Sequence, residues 1–262
     1  MRVRDEGNAG FAQPSGVIVR THLPDYPELM CGRFAMDKDT DDLIQEFVAT
    51  GGDFRDWRPS YNIAPTDRVP VVREWEHDGT ITREVDAASW GLAPAWSSGG
   101  KRPAPINARL ETVATNGMFR TAFDSRRCIV PMTGYYEWED LPDGKQPHFI
   151  HGVGLLAAAG LYAARKESDD SWSHSMAIIT REARDASGEI HDRMPAFLER
   201  NVWDEWLRPG KLTDPNHLLD LLDRTSSAVA AQIESYPVSR RVNSVRVPDA
   251  EREDPALIAP LS

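Results

Sequence analysis

Cysteine is scarce in this 262-residue chain, which holds two, Cys31 and Cys128. That is too few for the disulfide scaffold of a small secreted domain, and it excludes zinc sites built from paired CxxC motifs. Free thiols in a reducing compartment are the simpler expectation. Long apolar runs are also missing. The longest mainly apolar stretch, Val153–Ala163, covers 11 residues, short of the roughly 18 that a membrane helix needs. Arg2 and Arg4 precede only a short apolar patch, Gly16–Val19, so no signal-peptide core is present and a cytoplasmic protein is expected. Net positive charge is lacking as well. The formal net charge is −11, which argues against a surface coated in basic residues for duplex DNA but leaves room for a local basic cleft. Lysine contributes only 5 of the 30 basic residues. The arginine bias favours the side chain that grips phosphate bidentately.

What is present can build a core. Hydrophobic residues make up 40% of the chain, with 8 Trp, 6 Tyr and 8 Phe, so the chain is globular rather than disordered. Residues 1–29 are polar, contain Pro and Gly, and lack a sustained period, and they read as a poorly ordered extension. Organised patterning begins at Met30-Cys31, and 30–262 reads as one domain without linker or repeat. Thr40–Val48 reads as a helix capped by Asp39 or Thr40, with Leu43, Ile44, Phe47 and Val48 on one face. Val69–Trp75 and Thr80–Val85 read as strands flanking an Asp78-Gly79 hairpin turn. Further strands are expected at Cys128–Met132, ending by Gly134, and at His148–His151, Leu155–Ala163 and Ser175–Thr180. Helices are expected at Arg200–Leu207 and from Asp214-Pro215 through Leu222. Many short strands with few helices predict a single α+β, β-rich domain. Its sheet should be bent, barrel-like and mainly antiparallel, with flanking helices.

Several segments carry candidate chemistry. In Cys31-Gly32-Arg33-Phe34 the cysteine is either a small buried hydrophobe or a nucleophile. If it becomes the first residue, Cys31 carries a thiol and a free α-amine, with reference pKa values of about 8.5 and about 7.7–8.0. An amine and a thiol on one residue trap an aldehyde: the amine forms an imine, and the thiol closes a thiazolidine ring. Translation from Met30 followed by removal of that methionine, or cleavage of a longer leader after Met30, would supply that amine; failing both, no thiazolidine forms. Asn62, within Tyr61-Asn62-Ile63-Ala64-Pro65-Thr66, is either a turn residue or an amide beside a reacting centre. Trp90, in Trp90-Gly91-Leu92-Ala93-Pro94-Ala95-Trp96, is either core packing or a platform for a base. Asn107-Ala108-Arg109-Leu110-Glu111-Thr112 offers Arg109 for phosphate with Asn107 beside it, or is a solvated loop. Glu137, among Tyr135, Tyr136 and Trp138, is a proton shuttle or a structural carboxylate. His191, followed by Asp192-Arg193-Met194-Pro195, is an acid or base near neutral pH, or structural. Cys128, inside an apolar strand, reads as buried.

These motifs, in this order from Met30 to Pro195 and with Pro237-Val238 through Val242-Asn243 as a closing segment, resemble the SOS-response-associated peptidase (SRAP) family of abasic-site processing proteins. The resemblance covers about 30–260. It implies a β-rich single domain that senses abasic sites in single-stranded DNA and crosslinks to the ring-opened sugar through Cys31 after removal of the preceding residues. By motif match, Asn62 sits beside the crosslink, Glu137 assists imine formation and ring closure, and His191 shuttles protons. Arg33, Arg109 and Arg193 hold phosphates with support from Asn107, while Trp90 and Trp138 border the unpaired nucleotide. No metal or organic cofactor is implied, the partner is single-stranded DNA, and a monomer away from the membrane is expected. Two other readings stay open: a thiol peptidase using Cys31 and His191, with Asn62 or Glu137 as orienter, and a non-covalent binder of single-stranded DNA.

Overall fold

The computed structural model describes residues 31–261, apart from 53, 55, 97–103, 185–187 and 189. The 1–29 extension and Met30 lie outside the described residues. In chain order the strands are β1 (Phe34–Met36), β2 (Ser60–Ile63), β3 (Arg68–His77), β4 (Thr80–Trp90), β5 (Asn107–Arg109), β6 (Arg127–Met132), β7 (Gly134–Leu141), β8 (Gly144–His151), β9 (Leu156–Lys166), β10 (Trp172–Glu182), β11 (Arg193–Pro195) and β12 (Glu234–Pro237). The helices are α1 (Thr40–Glu46), α2 (Arg120–Ser125), α3 (Trp203–Leu207), α4 (Pro215–Ala230) and α5 (Asp249–Arg252).

Two sheets result. One is antiparallel, in the order β12-β8-β7-β1-β2. In the other, β10, β4, β3, β6 and β9 form a closed ring, because β10 pairs with β4 on one edge and with β9 on the other. The β10 pairings with β4 and β5 are parallel and the rest of this sheet is antiparallel. A five-stranded ring is narrow, so its strands carry small side chains where they crowd. Ala157–Ala159 and Gly160 on β9 are buried against β6. A Cβ on Gly160 would stand 2.9 Å from both Cys128 Sγ and Val130 Cγ2. Cys128 is buried as expected, and burial pushes its thiol well above the ordinary range. The main core fills the space around this ring and includes Phe34, Trp90, Phe123, Phe197 and Trp206.

Local chemistry explains most element boundaries. Asp78 and Gly79 both have positive φ, 49° and 76°, the pairing a two-residue type I′ hairpin turn requires. The Asp214 carboxylate accepts from the Asn216 and His217 N–H groups, and Pro215 opens α4. Asp39 accepts from Asp42 N–H and starts α1. That helix ends at Glu46, short of the expected Val48, which is 73% exposed with φ 51° and so lies on no buried face. The expected helix at Arg200–Leu207 opens as a 3-10 turn, Arg200–Val202, and becomes α-helical at Trp203. Arg127 is buried and donates to the carbonyls of Phe123, Asp124, Trp206 and Arg208, closing the C-terminal ends of α2 and α3.

The seam of the ring is short. Strands β10 and β4 pair only at Ser175–Ser89 and Met176–Trp90. Side chains reinforce it: Asp86 on β4 meets His174 Nδ1 on β10 at 3.0 Å and Arg73 Nη2 on β3 at 2.8 Å. Burial opposes ionisation of Asp86, but the His174 hydrogen bond and the Arg73 charge outweigh it and hold the carboxyl at about 2. A carboxyl depressed in the folded state stabilises above its unfolded pKa and loses that contribution as pH falls through the folded value. Asp86→Asn is therefore expected to cost about 2 kcal/mol at pH 7. Urea unfolding should show the gap narrowing between about pH 4 and about pH 2 and closing at the acid end; a gap independent of pH would contradict the seam role.

Candidate active site around Cys31

The site begins with strand register. β1 runs antiparallel to β7, with Phe34 opposite Tyr135 and Ala35 opposite Gly134. The Tyr136 N–H donates to the Arg33 carbonyl, so the same alignment carries the chain back toward Glu137. There the Cys31 N–H donates to Glu137 Oε1 at 2.8 Å. Glu137 was expected beyond a strand ending by Gly134; instead Gly134 opens β7 and Glu137 lies within it, opposite His148 on β8. Alternation along β7 sends Tyr135 into the main core and Tyr136 into a second cluster with Phe149, Val238 and Val242. Glu137 shares the Tyr135 face and is 2% exposed.

Cys31 itself is 3% exposed and adopts φ 47°, a left-handed conformation that is costly for a residue with a Cβ. Its Sγ donates to the Arg193 carbonyl at 3.6 Å. Arg193 opens β11, and its N–H donates to His191 Nδ1 at 3.1 Å. The structure thus gathers the cysteine nitrogen, its thiol, a buried carboxylate and the strand entry carrying a part-exposed histidine.

On the other side of the Cys31–Phe34 segment, Arg33 Nη1 donates to Asn62 Oδ1 at 2.6 Å and to the Val242 carbonyl at 2.7 Å. Its guanidinium lies 5.4 Å from the Trp138 ring centroid, within cation–π range. Burial, with the nearby Arg252 charge, lowers Arg33 to about 10, which leaves it cationic at neutral pH. Trp138 is half-buried and donates through Nε1 to Asn243 Oδ1 at 2.8 Å. The segment 242–244 therefore anchors both the arginine and the tryptophan.

Three expected roles need correction. Asn62 is 1% exposed, and its amide is fully engaged: Oδ1 accepts from Arg33, while Nδ2 donates to the Val242 and Ser244 carbonyls. These bonds commit its amide to Arg33 and to the 242–244 segment. Trp90 is fully buried, packs edge-on against Phe34 at 5.1 Å, and donates to the Ile106 carbonyl. Neither ring face is open to a base. Arg193 points inward: its guanidinium meets Glu111 and Thr180 and is not turned to solvent. Asn107 and Arg109 stand on β5 beside β10, where Asn107 is half-buried and Arg109 is exposed. Glu111, a motif residue with no role assigned from sequence, is the partner that turns Arg193 inward.

Cavities of about 900 Å³, between α1 and the 152–157 segment, and about 280 Å³, beside His151 and Tyr236, open elsewhere; neither is lined by Cys31, Glu137 or His191. Among the described residues, no group of three His, Cys, Asp or Glu side chains is placed to hold a metal ion, and no helix is long and apolar enough to cross a membrane.

Known proteins resemble this chain in sequence and in fold. The family model described as SOS response associated peptidase (SRAP) matches residues 30–245. Abasic site processing protein YoqW of Bacillus subtilis is 36% identical over 224 residues, covering 82% of this chain and 95% of YoqW. Abasic site processing protein YedK of Escherichia coli is 31% identical over 241 residues, covering 86% of this chain and all of YedK. A solved structure of a Bacteroides thetaiotaomicron protein superposes with a TM-score of 0.68 at 20% identity, covering 88% of this chain and all of that one. A phage-related protein of Bordetella bronchiseptica gives a TM-score of 0.58 at 28% identity, covering 80% and 95%. With the family model spanning most of its length, and relatives above 30% identity covered nearly end to end, the chain belongs to the SOS response associated peptidase family.

Proposed function

We propose that this protein processes abasic sites in single-stranded DNA by capturing the ring-opened sugar covalently on Cys31. The observation that carries the reading is the Cys31 nitrogen held 2.8 Å from a buried Glu137 carboxylate oxygen. A carboxylate at that place serves the nitrogen in both halves of the chemistry. In the first, hydrolysis of the 30–31 peptide bond consumes one water and releases the α-amine, and Glu137 delivers the proton to the leaving nitrogen. In the second, the amine adds to the C1′ aldehyde of the abasic sugar. Glu137 takes a proton from nitrogen and returns it to the carbinolamine hydroxyl, which leaves as water to give the imine. The thiol then adds to the imine carbon, its proton passes to nitrogen, and a thiazolidine forms. The net balance is amine, thiol and aldehyde in, thiazolidine and one water out. His191, tied to the same segment as the thiol, moves protons to and from the sugar.

Arg33 and Arg109 serve as the phosphate contacts, and Trp138 borders the unpaired nucleotide. A protein of net charge −11 with two such contacts should bind with a shallow salt dependence. The slope of log affinity against log salt is expected near about −1.4 for a single strand, read by fluorescence anisotropy. A slope of about −5 would point to a broad basic surface instead.

The activity is tested with a single-stranded oligonucleotide carrying one abasic site, against the same oligonucleotide with its aldehyde reduced to an alcohol by borohydride. A denaturing gel should show a covalent product with the first and none with the second. Binding to both without a covalent product would support the non-covalent reading, and cleavage of peptides without DNA would support the thiol peptidase.

A further inference from the structure

The Arg193 main chain touches both reactive side chains on its flank of the site. Its carbonyl accepts from Cys31 Sγ at 3.6 Å, and its N–H donates to His191 Nδ1 at 3.1 Å. Strand β11 has only three residues, too few to hold this placement through ladder bonds alone. The side chain adds the missing anchor. Arg193 Nη1 and Nη2 donate to Glu111 Oε1 and Oε2 at 2.7 and 3.1 Å, and Nη2 also donates to the Thr180 carbonyl at 2.7 Å. This two-pronged pair fixes orientation as well as distance. Burial works against the Glu111 charge, but the hydrogen bond from Arg193 and the charges of Arg193 and Arg109 outweigh it and hold its carboxyl below the ordinary glutamate value.

The anchor has a consequence for His191. Two neighbours compete for Nδ1. The Arg193 N–H needs that nitrogen unprotonated, whereas the Asp192 carboxylate, 3.1 Å away, favours a proton on it. Holding the Arg193 backbone in place decides the competition and leaves the neutral ring protonated on Nε2.

We propose that Glu111 and Arg193 are positioning residues that lock the backbone between the Cys31 thiol and the His191 ring, setting the thiol direction and the His191 tautomer. The proposal deepens the capture reading and rests on it for its kinetic consequence. Glu111 lies at the surface end of the pair, so its variants disturb the anchor without opening the core.

Glu111→Gln, Glu111→Asp and wild type are compared in two ways. Without DNA, 15N spectra of histidine-labelled protein should show His191 with its proton on Nε2 in wild type. A shift toward the Nδ1-protonated form is expected in Glu111→Gln and partial recovery in Glu111→Asp. With abasic single-stranded DNA at saturation, the single-turnover crosslinking rate of Glu111→Gln should fall about tenfold or more, with Glu111→Asp between. Affinity for DNA carrying a tetrahydrofuran site, which has no aldehyde, should be unchanged. An unchanged tautomer and rate in Glu111→Gln would overturn the proposal. So would lost tetrahydrofuran-DNA affinity with an unchanged rate at saturation, which would make the pair part of the DNA contact. If wild type forms no crosslink, the capture reading fails, and the spectra still decide the positioning role.

Discussion

Replacing Glu137 by Gln is expected to slow covalent capture by about 10²–10⁴-fold, the usual range for losing a positioned acid–base group. The substitution keeps the shape and an oxygen acceptor for the Cys31 nitrogen, which Glu137 Oε1 meets at 2.8 Å. What it removes is the ability to take and return a proton. The site is 2% exposed at Glu137, so bulk water is a poor substitute. Binding to DNA should change little, because Arg33, Arg109 and Trp138 are untouched. A single-turnover time course at pH 7, with the tetrahydrofuran oligonucleotide as the binding control, gives the result. A rate within about threefold of wild type would mean that the carboxylate is structural.

Changing Cys31 to Ser should abolish the heat-stable adduct altogether while leaving a weaker one. A serine at the start of the chain still has an α-amine and can form the imine. Its hydroxyl is a far poorer nucleophile than a thiol, so ring closure fails and the imine hydrolyses back. The expected gel therefore shows no band from Cys31→Ser alone and a band when borohydride is added during the reaction to reduce the imine. Cys31→Ser differs from wild type by one atom at a residue that is 3% exposed, so folding should survive. Equal and undiminished crosslinking by wild type and Cys31→Ser without reductant would remove the thiol from the product. Loss of the trapped band as well would remove the amine.

Short-range rules were legible in the sequence, and long-range ones were not. Asp78-Gly79 announced its hairpin because both residues tolerate left-handed backbone, and Asp214-Pro215 announced α4 because the cap and the first turn are adjacent in sequence. The barrel-like sheet was expected from its many short strands, but the strand partners that close it were not: β10 exchanges β4 for β5 on one edge and β9 for β11 on the other, choices made by tertiary packing. Strands β1, β5 and β11 have three residues each, too short for alternation to register. Motif order selected Cys31, Glu137 and His191, and the structure places all three at one flank of the molecule. It could not tell which way a side chain points. Trp90 was open between core and platform until motif match set it beside the nucleotide; the strand β4 runs past the expected Val85 to Trp90 and carries it into the core. Arg193 was given a phosphate by motif match alone, and its partner Glu111 stands 82 positions away. An acidic residue inside a motif otherwise suited to DNA was the available signal that some arginine needed a counterion.

The central claim is that Cys31 reacts through both its nitrogen and its sulfur, and intact-mass analysis of the DNA adduct after borohydride treatment tests it most directly, because an open imine has the same mass as the thiazolidine but gains two hydrogens on reduction. Protein expressed from Met1 and from Met30 would each be reacted with abasic single-stranded DNA and weighed. The account predicts one adduct mass from either source: the chain beginning at Cys31, plus the oligonucleotide, less one water. An adduct that still carries residues before Cys31 would contradict it, because the nitrogen would then be an amide and no thiazolidine could have closed.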